Sequence, residues 1–92
     1  MQVTLKFFGL LAEQTGQERV TFSFSEGANY GHLLEEIGKR YGRRLHERIW
    51  DDNRKLFKAG ILAVGEGRDF HRRETLLRDG EEIKILPLLG GG

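Results

Sequence analysis

Polar and apolar positions alternate at the start of the chain. Val3, Leu5 and Phe7 fall between Thr4, Lys6 and Phe8, a period of two that predicts a half-buried strand. Gly9 interrupts the pattern, and residues 10–16 read as a single helical turn closed by Gly16. Val20, Phe22 and Phe24 then alternate with Thr21, Ser23 and Ser25, a second strand, and the gap between the two allows a hairpin with a long loop. Beyond the turn residues 25–29 the period changes. Tyr30, Leu33, Leu34, Ile37 and Tyr41 share one face of a helix, with Glu35, Glu36, Lys39 and Arg40 on the other. Asn29 suits its N-cap, and Gly42 supplies a C-terminal stop.

The rest of the chain is less regular. Residues 43–58 are polar, with Leu45, Ile49, Trp50, Leu56 and Phe57 as scattered anchors. They read as a long connection that allows a short helix and a turn at Asp51-Asp52-Asn53. The apolar run Ile61-Leu62-Ala63-Val64 predicts a strand buried on both faces, and Gly65-Glu66-Gly67 a turn. Residues 68–78 are charged and irregular, and Arg78-Asp79-Gly80 announces a last strand over residues 81–86. Pro87 has no N–H to donate, so pairing is expected to end there or to continue along an edge. The order of elements predicts an α+β fold in which one helix packs across a mixed sheet of four or five strands. The expected core places Leu33, Leu34 and Ile37 against Val3, Leu5, Val20, Phe22, Ile83 and Ile85.

Ninety-two residues make one domain, with room for a single core and little for a deep substrate cavity. The formal charge of +1 gives no general pull toward nucleic acid or an anionic membrane. No apolar run is long enough to span a bilayer, and the first residues are not expected to act as a signal peptide. Zero cysteines exclude disulfides, thiolate metal sites and a cysteine nucleophile, and they suit a cytoplasmic location.

Most candidate chemistry fails on spacing. His32, His46 and His71 share no ligand spacing, so no metal site is expected and the histidines read as surface or half-buried residues. Ser23 and Ser25 sit on a strand without an elbow motif. Gly65-Glu66-Gly67 has Phe70 where a phosphate loop needs a third glycine. Lys39, Arg40, Arg43, Arg44 and Arg48 form a basic cluster around Tyr41, read first as a solvated helix end and second as a partner-docking patch.

The glycine tail stands apart. At average glycine usage, three glycines in a row at a terminus arise in about three chains per ten thousand. A linker scar, a frayed end and a reactive terminus are the three readings. In the third, Gly90, Gly91 and Gly92 enter a channel too narrow for side chains, and the Gly92 carboxylate is the reacting group. Extended from Leu88, the tail would reach about 16–18 Å. A carboxylate is a poor acyl donor until ATP converts it to an acyl-adenylate. The chain shows no nucleotide motif, so that step falls to a partner.

Several segments resemble the ubiquitin-like sulfur carriers of the MoaD/ThiS family, over nearly the whole chain. Residues 3–9 followed by 11–16 resemble the opening of MoaD-type proteins, and residues 26–34 the family's entry into its long helix. Leu77-Arg78-Asp79-Gly80-Glu81-Glu82-Ile83 is similar to the family's turn and final strand, and residues 86–92 to its terminal proline, apolar residue and diglycine. Leu88 replaces a frequent second proline, and the triple glycine is more like ThiS. Residues 48–56 are similar to an insertion in longer relatives, including the CysO carrier and archaeal modifiers.

The resemblance implies a β-grasp domain over residues 1–87 and a flexible tail over 88–92. It implies that Gly92 is adenylated by an E1-like enzyme of the MoeB/ThiF type and converted to a thiocarboxylate. The chain would bind no cofactor itself, the ATP being used by that enzyme, and would act as a carrier subunit rather than a complete enzyme. Molybdopterin or tungstopterin synthesis is the leading branch, with the large subunit of molybdopterin synthase as partner. A modifier joined to lysines, or a carrier for cysteine or thiamine thiazole synthesis, is the alternative. Phe8 and Leu86, on the outward sides of the first and last strands, are expected to form the docking surface, with Leu88 and Leu89 guiding the tail.

Overall fold

A computed structural model describes residues 1–88. β1 (Gln2–Phe7) and β2 (Arg19–Ser23) form an antiparallel hairpin whose loop carries α1 (Leu10–Thr15). α2 (Tyr30–Tyr41) follows, then a small hairpin of β3 (Trp50–Asp51) and β4 (Leu56–Phe57). β5 (Ile61–Gly65), β6 (Arg68–Asp69) and β7 (Glu81–Pro87) are the remaining elements of the described residues. The main sheet has the order β2-β1-β7-β5-β6, with β1 and β7 parallel and the other pairs antiparallel. With α2 packed across it, this is the expected β-grasp architecture.

The alternating residues of β1 divide as their period requires. Val3, Leu5 and Phe7 are buried beneath α2, as are Phe22 of β2 and Ile83 and Ile85 of β7. All five apolar residues of the α2 face are buried too, while Val20 is only half-buried beside this core. Asn29 caps α2 as predicted: its side chain accepts the N–H of His32, and Nδ1 of His32 accepts the N–H of Asn29. Phe7 meets Tyr41 edge-on at 5.7 Å, so the C-terminal end of α2 lies over the end of β1.

Several expectations are corrected. Gly16 ends α1 with φ 73°, the left-handed cap its residue type suggests; Gly42 ends α2 as expected, but with φ −51° rather than in the left-handed region. Gly42 is required for space instead, since a Cβ there would collide with Oδ1 of Asp52 and lie 2.6 Å from the Gly38 carbonyl. Residues 43–58 hold turns and the β3–β4 hairpin rather than a short helix, and Trp50 anchors them by packing edge-on to Phe57 at 4.9 Å. β5 is not buried on both faces. Only Ala63 is buried, because none of the described residues covers the side of the sheet away from α2, which leaves Leu62 and Val64 half-exposed. The irregular stretch 68–78 contains β6, whose Arg68 forms a partly buried ion pair with Glu81. Past Pro87 pairing continues on one side only, the second of the two expected outcomes, as the N–H of Leu88 donates to the Gly60 carbonyl at 2.7 Å.

Candidate functional site

The chain leaves the sheet for its glycine-ended terminus at the end of β7. β7 is the middle strand, held by β1 on one side and β5 on the other. Proline is tolerated there for a geometric reason. Leu88 donates toward β5, and by alternation along the strand the missing N–H of Pro87 faces the β1 side. β1 has already left the sheet at that level: its last paired residue is Phe7, opposite Ile85. Phe8 adds one bond to the Ile85 carbonyl, and Gly9 then turns the chain with φ 57°. A Cβ on Gly9 would lie 3.5 Å from the Pro87 ring, so the glycine and the proline pack against each other at the exit.

Phe8 and Leu86 fall where the sequence places them, on the side of the sheet away from α2, and Leu88, expected in the tail, continues the alternation of β7 onto the same side. One step beyond the Phe7–Ile85 pair sets Phe8 beside Leu86, and Leu86 pairs with Leu62 of β5. An apolar row therefore crosses three strands. Four large apolar residues among those described are exposed, and three gather around this exit: Phe8 at 39%, Leu10 at 50% and Leu88 at 53%. Sequence reasoning missed Leu10 and Leu62. Leu62 could have been found from the register, since it shares parity with Leu86; Leu10 has no pattern that distinguishes it from a helix anchor. Leu89, Gly90, Gly91 and Gly92, the remaining predicted site residues, lie outside the described residues.

Charge frames the row. Glu82 binds Lys6 at 3.3 Å and Arg19 at 3.0 Å across the same outer face, and the exposed Lys84 lies beside Lys6 in the parallel register. The groups with displaced pKa values lie elsewhere. The N–H of Arg54, and secondarily that of Asn53, hold Asp51 below the usual carboxylate range. The Lys55 ammonium and then the Trp50 indole do the same for Asp52, so both carboxylates serve the β3–β4 turn. Burial pushes the Tyr30 hydroxyl far above its ordinary value. The ring nitrogen Nδ1 of His32 is occupied by the α2 cap and that of His46 by the N–H of Arg48, while His71 is exposed. Among the described residues no cluster of His, Cys, Asp or Glu could hold a metal ion, and no helix is long and apolar enough to cross a membrane.

A β-grasp domain whose middle strand delivers a glycine-ended tail beside an exposed apolar row belongs to the ubiquitin-like class. The sequence model of the ThiS family matches residues 5–92. The chain belongs to the ThiS family, a group of ubiquitin-like sulfur carriers and modifiers. No curated protein matches it. Among solved structures it is similar to small archaeal modifier protein 1 of Haloferax volcanii, with 22% identity over 100% of both chains and a TM-score of 0.80. The corresponding protein of Methanosarcina acetivorans is 26% identical over 99% of this chain and 96% of its own, with a TM-score of 0.75. A complex of subunits 1 and 2 of the molybdopterin-converting factor of Helicobacter pylori matches with 18% identity over 100% of both chains and a TM-score of 0.64.

Proposed function

We propose that the chain is a cytoplasmic sulfur carrier that works through the Gly92 carboxylate. An E1-like enzyme of the MoeB/ThiF type binds the Phe8–Leu86–Leu88 surface, and the carboxylate attacks the α-phosphorus of ATP, releasing pyrophosphate. Sulfide then displaces AMP from the acyl-adenylate and leaves a C-terminal thiocarboxylate. With a persulfide donor the first product is an acyl disulfide, which a thiol cleaves to the same thiocarboxylate. The sulfur is donated in molybdopterin or tungstopterin synthesis, where the chain serves as the small subunit beside a larger catalytic one. The observation that carries this reading is the exit of a three-glycine tail from the middle strand beside the exposed Phe8, Leu10 and Leu88. The resemblance to small archaeal modifier protein 1 favours a second reading, in which a lysine amine displaces AMP and the chain becomes a protein modifier.

Intact-mass measurement after incubation with an E1-like enzyme, ATP and sulfide tests both. One oxygen-for-sulfur exchange, localised to the terminal peptide, is the expected result. Removing Gly92 alone would draw the carboxylate back by about 3.5 Å, and Gly91 stands ready to replace it in part, so the decisive variant lacks both. Undiminished pyrophosphate exchange in that variant refutes the proposal. A lysine-linked adduct in place of the thiocarboxylate selects the modifier reading.

A further inference from the structure

The main sheet has one long open edge. β6 ends one side with two residues, but β2 ends the other with five. The pairing determines which groups of β2 are free. Met1 and Phe24 exchange hydrogen bonds with each other, and Phe7 donates to the Glu18 carbonyl. In the β1–β2 register the even-numbered residues Val20 and Phe22 therefore bond β1, and Arg19, Thr21 and Ser23 direct their N–H and C=O groups out of the sheet. All three residues are exposed. Strand edges are commonly blunted by proline, bulges or a covering loop, and among the described residues β2 has none of these.

A groove opens just beyond the C-terminal end of this edge. It is an open cavity of about 510 Å³ between the β2–α2 loop and α2, with Phe24 and Ala28 as its apolar wall. Phe24 stacks on Phe22 at 6.1 Å, and the Arg40 guanidinium covers the Phe22 ring at 4.2 Å. Arg43 and Arg44 follow Arg40 within a turn, and among the described residues none of the three forms an ion pair. Arg44 donates instead to the Thr15 carbonyl. At the far end of the groove Glu26, Glu35 and Glu36 line the cavity, with Glu36 turned to Lys39. The edge is thus basic at one end and acidic at the other.

We propose that β2 receives an extended segment of a partner protein as an added strand, with an aliphatic side chain of that segment seated against Phe24 and Ala28. Its carboxylates lie at the Arg40–Arg43–Arg44 end. Free backbone groups recognise a strand whatever its side chains, and the neighbouring groove and charge supply the selection. A second copy fits this surface less well, because two-fold pairing through the same edge would set groove against groove and fill neither. The surface is separate from the tail, so a protein lacking Gly91 and Gly92 binds the same segment and a failure of either proposal is seen on its own.

The probe is a synthetic ten-residue peptide of three aspartates followed by alternating isoleucine and threonine, titrated into the isotope-labelled full chain. The amide signals of Arg19, Thr21 and Ser23 should shift, and their exchange with solvent should slow. Replacing the aspartates with lysines, or reversing charge with Arg40→Glu and Arg43→Glu together, should weaken binding about tenfold. A peptide with prolines at alternate positions cannot pair and should not bind, a control that leaves the protein untouched. The proposal is overturned by silent β2 amides, by equal binding of the lysine peptide, or by shifts confined to Phe8 and Leu86. A dimer in sedimentation whose β2 amides are already protected would overturn it in favour of self-association.

Discussion

Glu81 opens β7 and is among the few charged side chains the fold takes out of water, its side chain being 4% exposed. It accepts hydrogen bonds from Nε and Nη2 of Arg68 at 2.9 and 2.6 Å, and from the N–H of Arg78 at 3.0 Å. Arg68 also covers the Phe70 ring at 4.6 Å, and Phe70 in turn packs on Tyr30. Glu81→Ala would leave a half-buried guanidinium without its counter-charge, a change that costs about 3–5 kcal/mol. A chain of 92 residues has roughly 5–14 kcal/mol in total, so about a fifth or more of its stability is at stake. At about 4–8 °C per kcal/mol for a domain of this size, Tm should fall by at least about 12 °C. Circular dichroism in thermal and urea titrations measures this, with the urea midpoint moving and the slope unchanged. Replacing both partners by leucine removes the orphaned charge and should recover most of the loss. The reasoning is refuted if Glu81→Ala costs less than about 1 kcal/mol, the range of an exposed pair, or if the double variant is weaker than the single one.

Ile37→Asp places a carboxylate at a fully buried site of α2 and should cost on the order of 4 kcal/mol or more; a cooperative unfolding transition at an unchanged temperature would contradict the core assignment. Gly42→Ala gains up to about 1 kcal/mol of helix propensity but loses about 1–3 kcal/mol to the clash with Asp52 and the Gly38 carbonyl. Urea unfolding should therefore show a net loss, and a stabilised variant would mean that the neighbours yield freely. Asp51 and Asp52 have lowered folded-state pKa values, so their contribution is complete above the unfolded aspartate value of 3.8 and is lost as pH falls through the lower folded values. Amide exchange at Asn53 and Arg54 should accelerate in that acid range before the main sheet opens; protection there that is independent of pH would refute the assignment.

How much of this was legible depended on the range of the interaction. α2 was readable to the residue because five apolar side chains repeat along one face and Asn29 caps them locally. β1, β2 and β7 were readable by parity, and parity alone put Phe8 and Leu86 on the outer face. The β3–β4 hairpin was not, since two-residue strands carry no period and this pair is held by the contact of Trp50 with Phe57. The Arg68–Glu81 pair spans thirteen residues without a local signal. The run 61–64 was misread because an apolar stretch looks alike whether two faces are covered or one. Here the described residues cover one face only, and the half-exposed Leu62 becomes part of the candidate surface.

That open face and the middle position of β7 act together. Up to Ile85 the strand is paired on both sides and opens to solvent less readily than an edge, so it is a firm base for whatever leaves its end. The bond from Leu88 to Gly60 extends this base by one residue beyond the proline. Four residues remain, and fully extended they cover no more than about 13–14 Å. For the proposed carrier, a partner's reacting atoms must therefore lie within that distance of the Leu88 exit. A partner that docked on the far side of α2 would have to draw the tail around the sheet before it could reach the carboxylate. One that covers Phe8, Leu86 and Leu62 has its centre within reach at once. Docking on the outer face and delivery of the carboxylate are thus a single geometric requirement, and a substitution such as Leu86→Glu should weaken partner binding and adenylation together while leaving the fold intact.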